Sequence, residues 1–265
     1  MSIIRVGIGG WTFEPWRGVF YPKGLPHARE LEFASREVTA IEVNATFYRT
    51  QRPEDFRRWA AETPDDFVFS LKAPRYAVNR KVLAEARPSI DRFIESGIGE
   101  LKNKLGPILW QFAPTKRFEE KDFGTFLGLL PREILGRKLR HVVEVRHQSF
   151  LAPEFVTLAR EAGVAVVIAD HDEHPLLPDV TSDFIYARLQ RAKEDEPAGY
   201  PAGVLATWAK RARAWAGGGE PDDLKPIAGR SPTTADRDVF IFMINGEKVR
   251  APAAAKALIG HLKVQ

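Results

Sequence analysis

Short, nearly unbroken apolar runs recur along the chain at 4–9, 40–44, 67–72, 108–112, 141–146, 164–170, 184–189 and 239–245. The sixth is apolar at every position of 164–169. Strict alternation would mark a strand with one wet face, whereas continuous apolarity marks a parallel strand covered on both faces. Helical spacing takes over between most of the runs. Phe123, Phe126, Leu127 and Leu130 fall at i, i+3, i+4 and i+7, and the sets Phe155, Leu158, Ala159, Ala162 and Leu205, Trp208, Ala209, Ala212 repeat the pattern. Each set gives one apolar stripe able to dock on a sheet. Pro53 and Pro153 stand where a first helical turn begins, a place where the missing N–H has no partner to lose. Weaker helical patterns cover 28–38, 53–63, 82–105 (broken by Pro88 and Gly97) and 253–262.

Eight parallel strands alternating with helices predict an α/β fold: a single TIM-type (β/α) barrel occupying 1–265 as one domain. Two connections depart from the ideal. The link 171–182 contains Pro175 and Pro178 and leaves no room for a helix, so the passage from strand six to strand seven is expected to be irregular. The segment 217–238 is rich in Gly and Pro and reads as a loop before the last strand. The first connection is long and aromatic, with Trp11, Phe13, Trp16, Phe20 and Tyr21.

Composition narrows the classes further. The 265 residues are 44% hydrophobic and 28% charged, as in a folded globular chain rather than a disordered one. The chain has no cysteine, which excludes disulfides, thiolate metal sites and a cysteine nucleophile. No signal-peptide pattern precedes the first run and no apolar stretch is long enough to span a bilayer, so a cytoplasmic protein with no membrane partner is expected. The net charge of +4, from 39 basic against 35 acidic residues, leans toward an anionic partner without the imbalance of a dedicated nucleic-acid binder.

The informative chemistry lies in charges that interrupt apolar strands: Glu42, Lys72, Glu144, Arg146, Asp170 and Arg188. All come late in their runs, which in a TIM barrel is the active-site end. Buried charges are tolerated only when paired or facing a wet cavity, so these groups are expected to converge at the mouth. They could form a salt-bridged plug or a functional pocket. In a pocket, Glu42 and Glu144 would serve as general acid and base. Lys72 would neutralise charge or attack a carbonyl, and Arg146 and Arg188 would clamp a phosphate or carboxylate. Asn44, Gln111 and Asn245 add neutral polar groups to the same end.

Two further constellations are weaker. Asp170, His171, Asp172, Glu173 and His174 follow the sixth run and His147 follows the fifth, but their spacing matches no defined metal motif. A solvated loop is the plainer reading, and no metal and no cofactor is expected. Aromatic and basic residues interleave after the first three strands: Trp11, Trp16, Arg17, Tyr21, Phe47, Tyr48, Arg49, Arg75, Tyr76, Arg80 and Lys81. They could stack bases or sugars, or pack on each other as a lid. Gly7-Ile8-Gly9-Gly10 lacks the third glycine of a dinucleotide fingerprint and the Gly-Lys-Ser/Thr of a P-loop, and no serine sits in a nucleophile elbow.

The order of several phrases is more specific than any one of them. Gly7-Ile8-Gly9-Gly10-Trp11, Trp16-Arg17-Gly18-Val19-Phe20-Tyr21-Pro22, Ile41-Glu42-Val43-Asn44-Ala45-Thr46-Phe47-Tyr48 and Phe69-Ser70-Leu71-Lys72-Ala73-Pro74-Arg75 come first. Leu105-Gly106-Pro107-Ile108-Leu109-Trp110-Gln111, Val143-Glu144-Val145-Arg146-His147 and Tyr186-Ala187-Arg188-Leu189 follow. Together they resemble the YecE-like family, the domain of unknown function 72, over nearly the whole chain. The resemblance implies a TIM-type barrel with a site at its mouth and implies no reaction. Gln190-Arg191 stands where the family often carries histidine and glycine, and Ile244 where it tends to pair asparagines.

The resulting expectation is an enzyme, a hydrolase or isomerase working by acid–base catalysis on a small phosphorylated or carboxylated, sugar- or nucleotide-like anion. Glu42, Glu144 and Lys72 would be catalytic. Trp11, Asn44, Tyr48, Gln111, Arg146, His147, Asp170, Arg188 and Asn245 would bind substrate. The alternatives are a non-catalytic binder of nucleic acid or an anionic metabolite, and a metal-dependent hydrolase or isomerase. The oligomeric state is left open.

Overall fold

Every predicted apolar run forms a strand in the computed structural model, which describes residues 2–263. The parallel sheet comprises β1 (Ile4–Gly9), β2 (Ala40–Val43), β3 (Val68–Lys72) and β4 (Leu105–Gln111). A hairpin outside the sheet, β5 (Glu133–Ile134) and β6 (Arg137–Lys138), comes next in sequence. The sheet continues with β7 (His141–Glu144), β8 (Ala165–Val166), β9 (Ile168–Asp170), β10 (Phe184–Leu189) and β11 (Asp238–Met243). Its strand order is β8-β7-β4-β3-β2-β1-β11-β10-β9.

The count is nine strands where eight were expected, because the sixth run splits at Val167. Its first half registers with β7, through Val142 against Ala165 and Val143 against Val166. Its second half registers with β10, through Leu189 against Asp170. The two halves are the two ends of the sheet order, so this one run nearly closes the sheet into a barrel.

Alternation of side chains across the strands produces two cores. Ala40, Val68, Leu109, Val142, Ala165, Val167, Phe184, Tyr186, Phe240 and Phe242 fill the barrel interior. Ile41, Phe69, Leu71, Ile108, Trp110, Val143, Val166 and Ile185 face the helices. Both faces are dry, which is why the runs carry no polar alternation. Gly7 belongs to the inner face, where a Cβ would fall 2.2 Å from the carbonyl oxygen of Ala40; only glycine lets β1 lie this close to β2.

The helices are α1 (Glu30–Glu37), α2 (Ala45–Tyr48), α3 (Pro53–Glu62), α4 (Arg75–Val78), α5 (Arg87–Ile94), α6 (Glu120–Leu129), α7 (Pro153–Ala162), α8 (Ala202–Ala216) and α9 (Ala251–Lys263). Prolines open α3 and α7 as predicted. The pattern at 82–105 resolves into a 3-10 turn, α5 and a second 3-10 stretch that starts after Gly97 at φ 108°. No helix forms in 171–182. Instead Asp179, 2% exposed, accepts the backbone N–H groups of Ile227 and Ala228 at 2.8 Å each, pinning the 217–238 loop. No helix among the described residues is long and apolar enough to cross a membrane.

Candidate active site at the C-terminal mouth of the barrel

Arg188 leaves the end of β10 pointing into the barrel and organises the mouth. Its Nε and Nη2 donate to Glu42 Oε2 and Oε1 at 3.0 and 2.9 Å, a bidentate pair across the barrel to β2. Its Nη1 donates to Glu144 Oε1 of β7 at 2.6 Å and to Gln111 Oε1 of β4 at 3.4 Å. All three charged groups are at most 1% exposed. The second oxygen of Glu144 accepts Arg146 Nη2 at 3.0 Å. Below them, Tyr186 donates its hydroxyl to Glu42 Oε2 at 2.8 Å and meets Ser70 Oγ at 2.8 Å, while Ser70 donates to the carbonyl of Pro107 at 2.9 Å.

Tyr186 and Ser70 were not among the predicted site residues. Their signal was positional: each lies two residues before a predicted one, Arg188 and Lys72, and therefore on the same strand face.

Electrostatics separates the predicted catalytic groups. Burial alone would raise the Glu144 carboxyl, but Arg188 and Arg146 outweigh it and hold it near 2. Burial would likewise lower Arg188, and Glu144 and Glu42 raise it instead. Tyr186 is raised by burial and by Glu42, so it stays a neutral donor. The expected acid–base division between Glu42 and Glu144 therefore has no geometric support: every carboxylate oxygen of the pair already accepts a charged donor, and Glu144 is far from protonation at neutral pH.

Lys72 differs from both. It is 6% exposed, its ammonium makes no hydrogen bond among the described residues, and Nζ lies 4.1 Å from the centre of the Phe47 ring. Burial, reinforced by the nearby Arg188 charge, brings its ammonium down to about 8.

The remaining predicted residues divide. Asn44 is half-buried, with its amide 3.3 Å from the position a Cβ on Gly9 would take, so it sits at the rim of the interior. Asn245 is exposed and donates to Gln190 Oε1 at 3.2 Å. Asp170 ends its strand on the helix side and pairs with Arg191 at 3.6 Å, away from the interior network, because alternation gives the inner face to Val167 and Ala169. His147 accepts the Ser149 N–H at 3.0 Å and caps a 3-10 turn. Trp11 packs edge-on against Trp59 and Phe69 in the helix layer, and Tyr48 is 69% exposed beyond the rim.

The aromatic first connection folds on itself: Trp16 and Tyr21 are buried, and Trp16 stacks edge-on with Phe13 and Phe20. His171 and His174 stack ring on ring at 3.6 Å, and no three His, Cys, Asp or Glu side chains among the described residues group as metal ligands. A hollow on the helix layer lined by Arg57, Ala60, Leu101 and Lys104 contains none of the predicted site residues, and a second, lined by His27, Leu31, Arg58 and Trp59, contains only Trp11 of them.

The fold and its mouth define a TIM-type barrel closed at the C-terminal end by an ion network. The family model described as "Protein of unknown function DUF72" matches residues 5–265, and the chain belongs to that family. It is 29% identical over 176 residues to the UPF0759 protein YecE of Escherichia coli K12, covering 63% of this chain and 59% of YecE. It is 24% identical over 123 residues to the UPF0759 protein YunF of Bacillus subtilis, covering 42% of this chain and 40% of YunF. The matches thus span about two-fifths to three-fifths of these relatives. Among solved structures, a DUF72 family protein of Thermotoga maritima MSB8 superposes with a TM-score of 0.76 at 22% identity, over 99% of this chain and 100% of that one. A DUF72 family protein of Enterococcus faecalis V583 gives 0.71 at 17% identity, over 100% and 99%. These likenesses establish the fold.

Proposed function

We propose that the mouth is the active site of an enzyme that binds a small phosphorylated or carboxylated, sugar- or nucleotide-like anion and transfers a proton through Lys72. The observation that carries this reading is the state of Lys72: a buried side chain whose ammonium has no hydrogen-bond partner among the described residues, beside three other buried charges. A lysine serving only as a structural ion would bond a carboxylate, as both arginines do. A pKa of about 8 suits an amine that gives and takes protons near neutrality. Glu42 and Glu144 act through Arg188, which they hold in place, so they are positioning residues in this reading. Two carboxylates against two guanidiniums and one ammonium leave one net positive charge at the mouth, which favours an anionic substrate.

The test is a turnover screen of small phosphorylated and carboxylated sugars and nucleotide fragments with the wild type and Lys72→Met. Turnover in the wild type is expected to rise with pH toward a plateau above about 8 when the free amine is the base, and to fall by about 100-fold or more in the variant. Equal turnover in both proteins would remove Lys72 from the chemistry, and binding without turnover would support the non-catalytic alternative.

A further inference from the structure

Five buried side-chain nitrogens lack a hydrogen-bond partner among the described residues, and three of them belong to the mouth: Arg146 Nε, Gln190 Nε2 and His174 Nδ1. Buried polar groups without partners are rare in folded proteins, and an ordered water or ion commonly completes them. Their placement is fixed by bonds on the opposite side of each group. Arg146 is tied to Glu144 through Nη2, leaving the Nε edge of its planar fork free. Gln190 lies two residues beyond Arg188, on the same face of the chain. Its Oε1 accepts from Asn245, which orients the amide and leaves Nε2 without an acceptor. His174 lies in the irregular 171–182 loop, stacked on His171 and within the field of Arg146, Glu144 and Arg188. The ammonium of Lys72 also lacks an acceptor. Arg146 and Arg188 were the expected anion clamp, but four of the five N–H donors of Arg188 are spent on Glu42, Glu144 and Gln111.

We infer that Arg146 Nε, Gln190 Nε2 and Lys72 Nζ form an oxyanion seat for the phosphoryl group of a phosphate monoester, with the His174 ring as its outer wall. This deepens the proposed function and rests on it for the identity of the mouth as a substrate site. Three donors from three parts of the chain match three terminal phosphoryl oxygens better than the two oxygens of a carboxylate. Neutral His174 is free to donate from Nδ1 to one of those oxygens. Burial, together with the Arg146 and His171 charges, holds its ring down at about 4. An anion bound against Arg146 would offset that repulsion and raise the ring's pKa, with Glu144 and Arg188 the other charged groups that act on it.

The experiment is calorimetric titration with inorganic phosphate at pH 7 and constant ionic strength, on the wild type, Gln190→Leu, Gln190→Glu and Arg146→Lys. A parallel titration with acetate and an NMR pH titration of His174 complete it. The wild type is expected to bind phosphate saturably and more tightly than acetate, with an upward shift of the His174 titration. Gln190→Leu and Arg146→Lys should each weaken binding by about tenfold or more, and Gln190→Glu should abolish it. Gln190→Leu should melt no lower than the wild type without phosphate, because it removes an unpaired amide; should it fail to fold, Gln190→Glu and Arg146→Lys carry the comparison.

No phosphate binding by the wild type would leave water as the partner of these nitrogens and overturn the seat. So would variants that bind phosphate as the wild type does. Acetate binding at least as tightly would overturn the phosphoryl assignment. Phosphate binding lost in the variants, without turnover in the substrate screen, would sustain the seat and sink the Lys72 chemistry. Turnover that phosphate does not inhibit would do the reverse.

Discussion

Arg188 and Lys72 are both buried cations at one mouth, and their energetic roles are opposite. Arg188 compensates two carboxylates that are fully buried. Removing it leaves Glu42 without a cationic partner and Glu144 with Arg146 alone, a loss of about 3–5 kcal/mol for a broken buried pair. Lys72 compensates nothing by contact, and its folded pKa is depressed to about 8. The unfolded chain therefore binds the extra proton between about 8 and 10.5, so stability should rise with pH through that window and Lys72→Met should remove the rise. Urea denaturation of Arg188→Met and Lys72→Met at pH 7 and pH 9.5 measures both effects. Arg188→Met is expected to be strongly destabilised, and Lys72→Met to be as stable as the wild type or more so. A Lys72→Met protein as unstable as Arg188→Met would mean that the ammonium is a structural ion.

Among the elements, β4 and β7 are joined on their helix side by a polar contact inside an apolar layer. Trp110 Nε1 donates to His141 Nδ1 at 3.0 Å, and His141 Nε2 donates to the carbonyl of Pro131 at 2.7 Å. This arrangement needs a neutral ring, and burial lowers its pKa to about 4. The stability it contributes is full above the ordinary value near 6.5 and is lost as pH falls toward 4. The expected loss is roughly 3 kcal/mol over that interval. Chemical denaturation at pH 7 and pH 4.5 of the wild type and His141→Phe checks it: the variant should show a shallower fall. Parallel curves would assign the acid sensitivity to other groups. The sequence offered His141 only as the first residue of an apolar run, because nothing local says that a tryptophan on the neighbouring strand will meet it.

At the scale of the molecule, two segments without regular structure hold each other. Asp179 in the sixth connection accepts two N–H groups of the loop before β11, and Arg160 of α7 donates to the carbonyls of Val180, Ala228 and Gly229. This latch replaces the helix that the prolines exclude. Asp179→Ala would strand both N–H groups and is expected to cost about 1–3 kcal/mol, with faster amide exchange at Ile227 and Ala228. Unchanged protection at those two amides would show that the loop is held elsewhere.

What the sequence alone determined is the set of staves and their order. Apolar runs such as 164–169 needed both faces covered, helical stripes supplied the covers, and the prolines and glycines marked where each began or failed. Strand alternation also brought Glu42, Glu144 and Arg188 to one end and one face. Tertiary structure alone decided which of those charges are spent. Five donors on Arg188 and four oxygens on two glutamates admit many pairings, and the barrel's curvature selected the one that uses four of the Arg188 donors and leaves the Lys72 ammonium, Arg146 Nε and Gln190 Nε2 unmatched. The break at Val167 and the outward turn of Asp170 were decided there too. A strand that must pair with β7 on one side and β10 on the other changes partners midway, and that exchange is a property of the closed barrel rather than of the run itself.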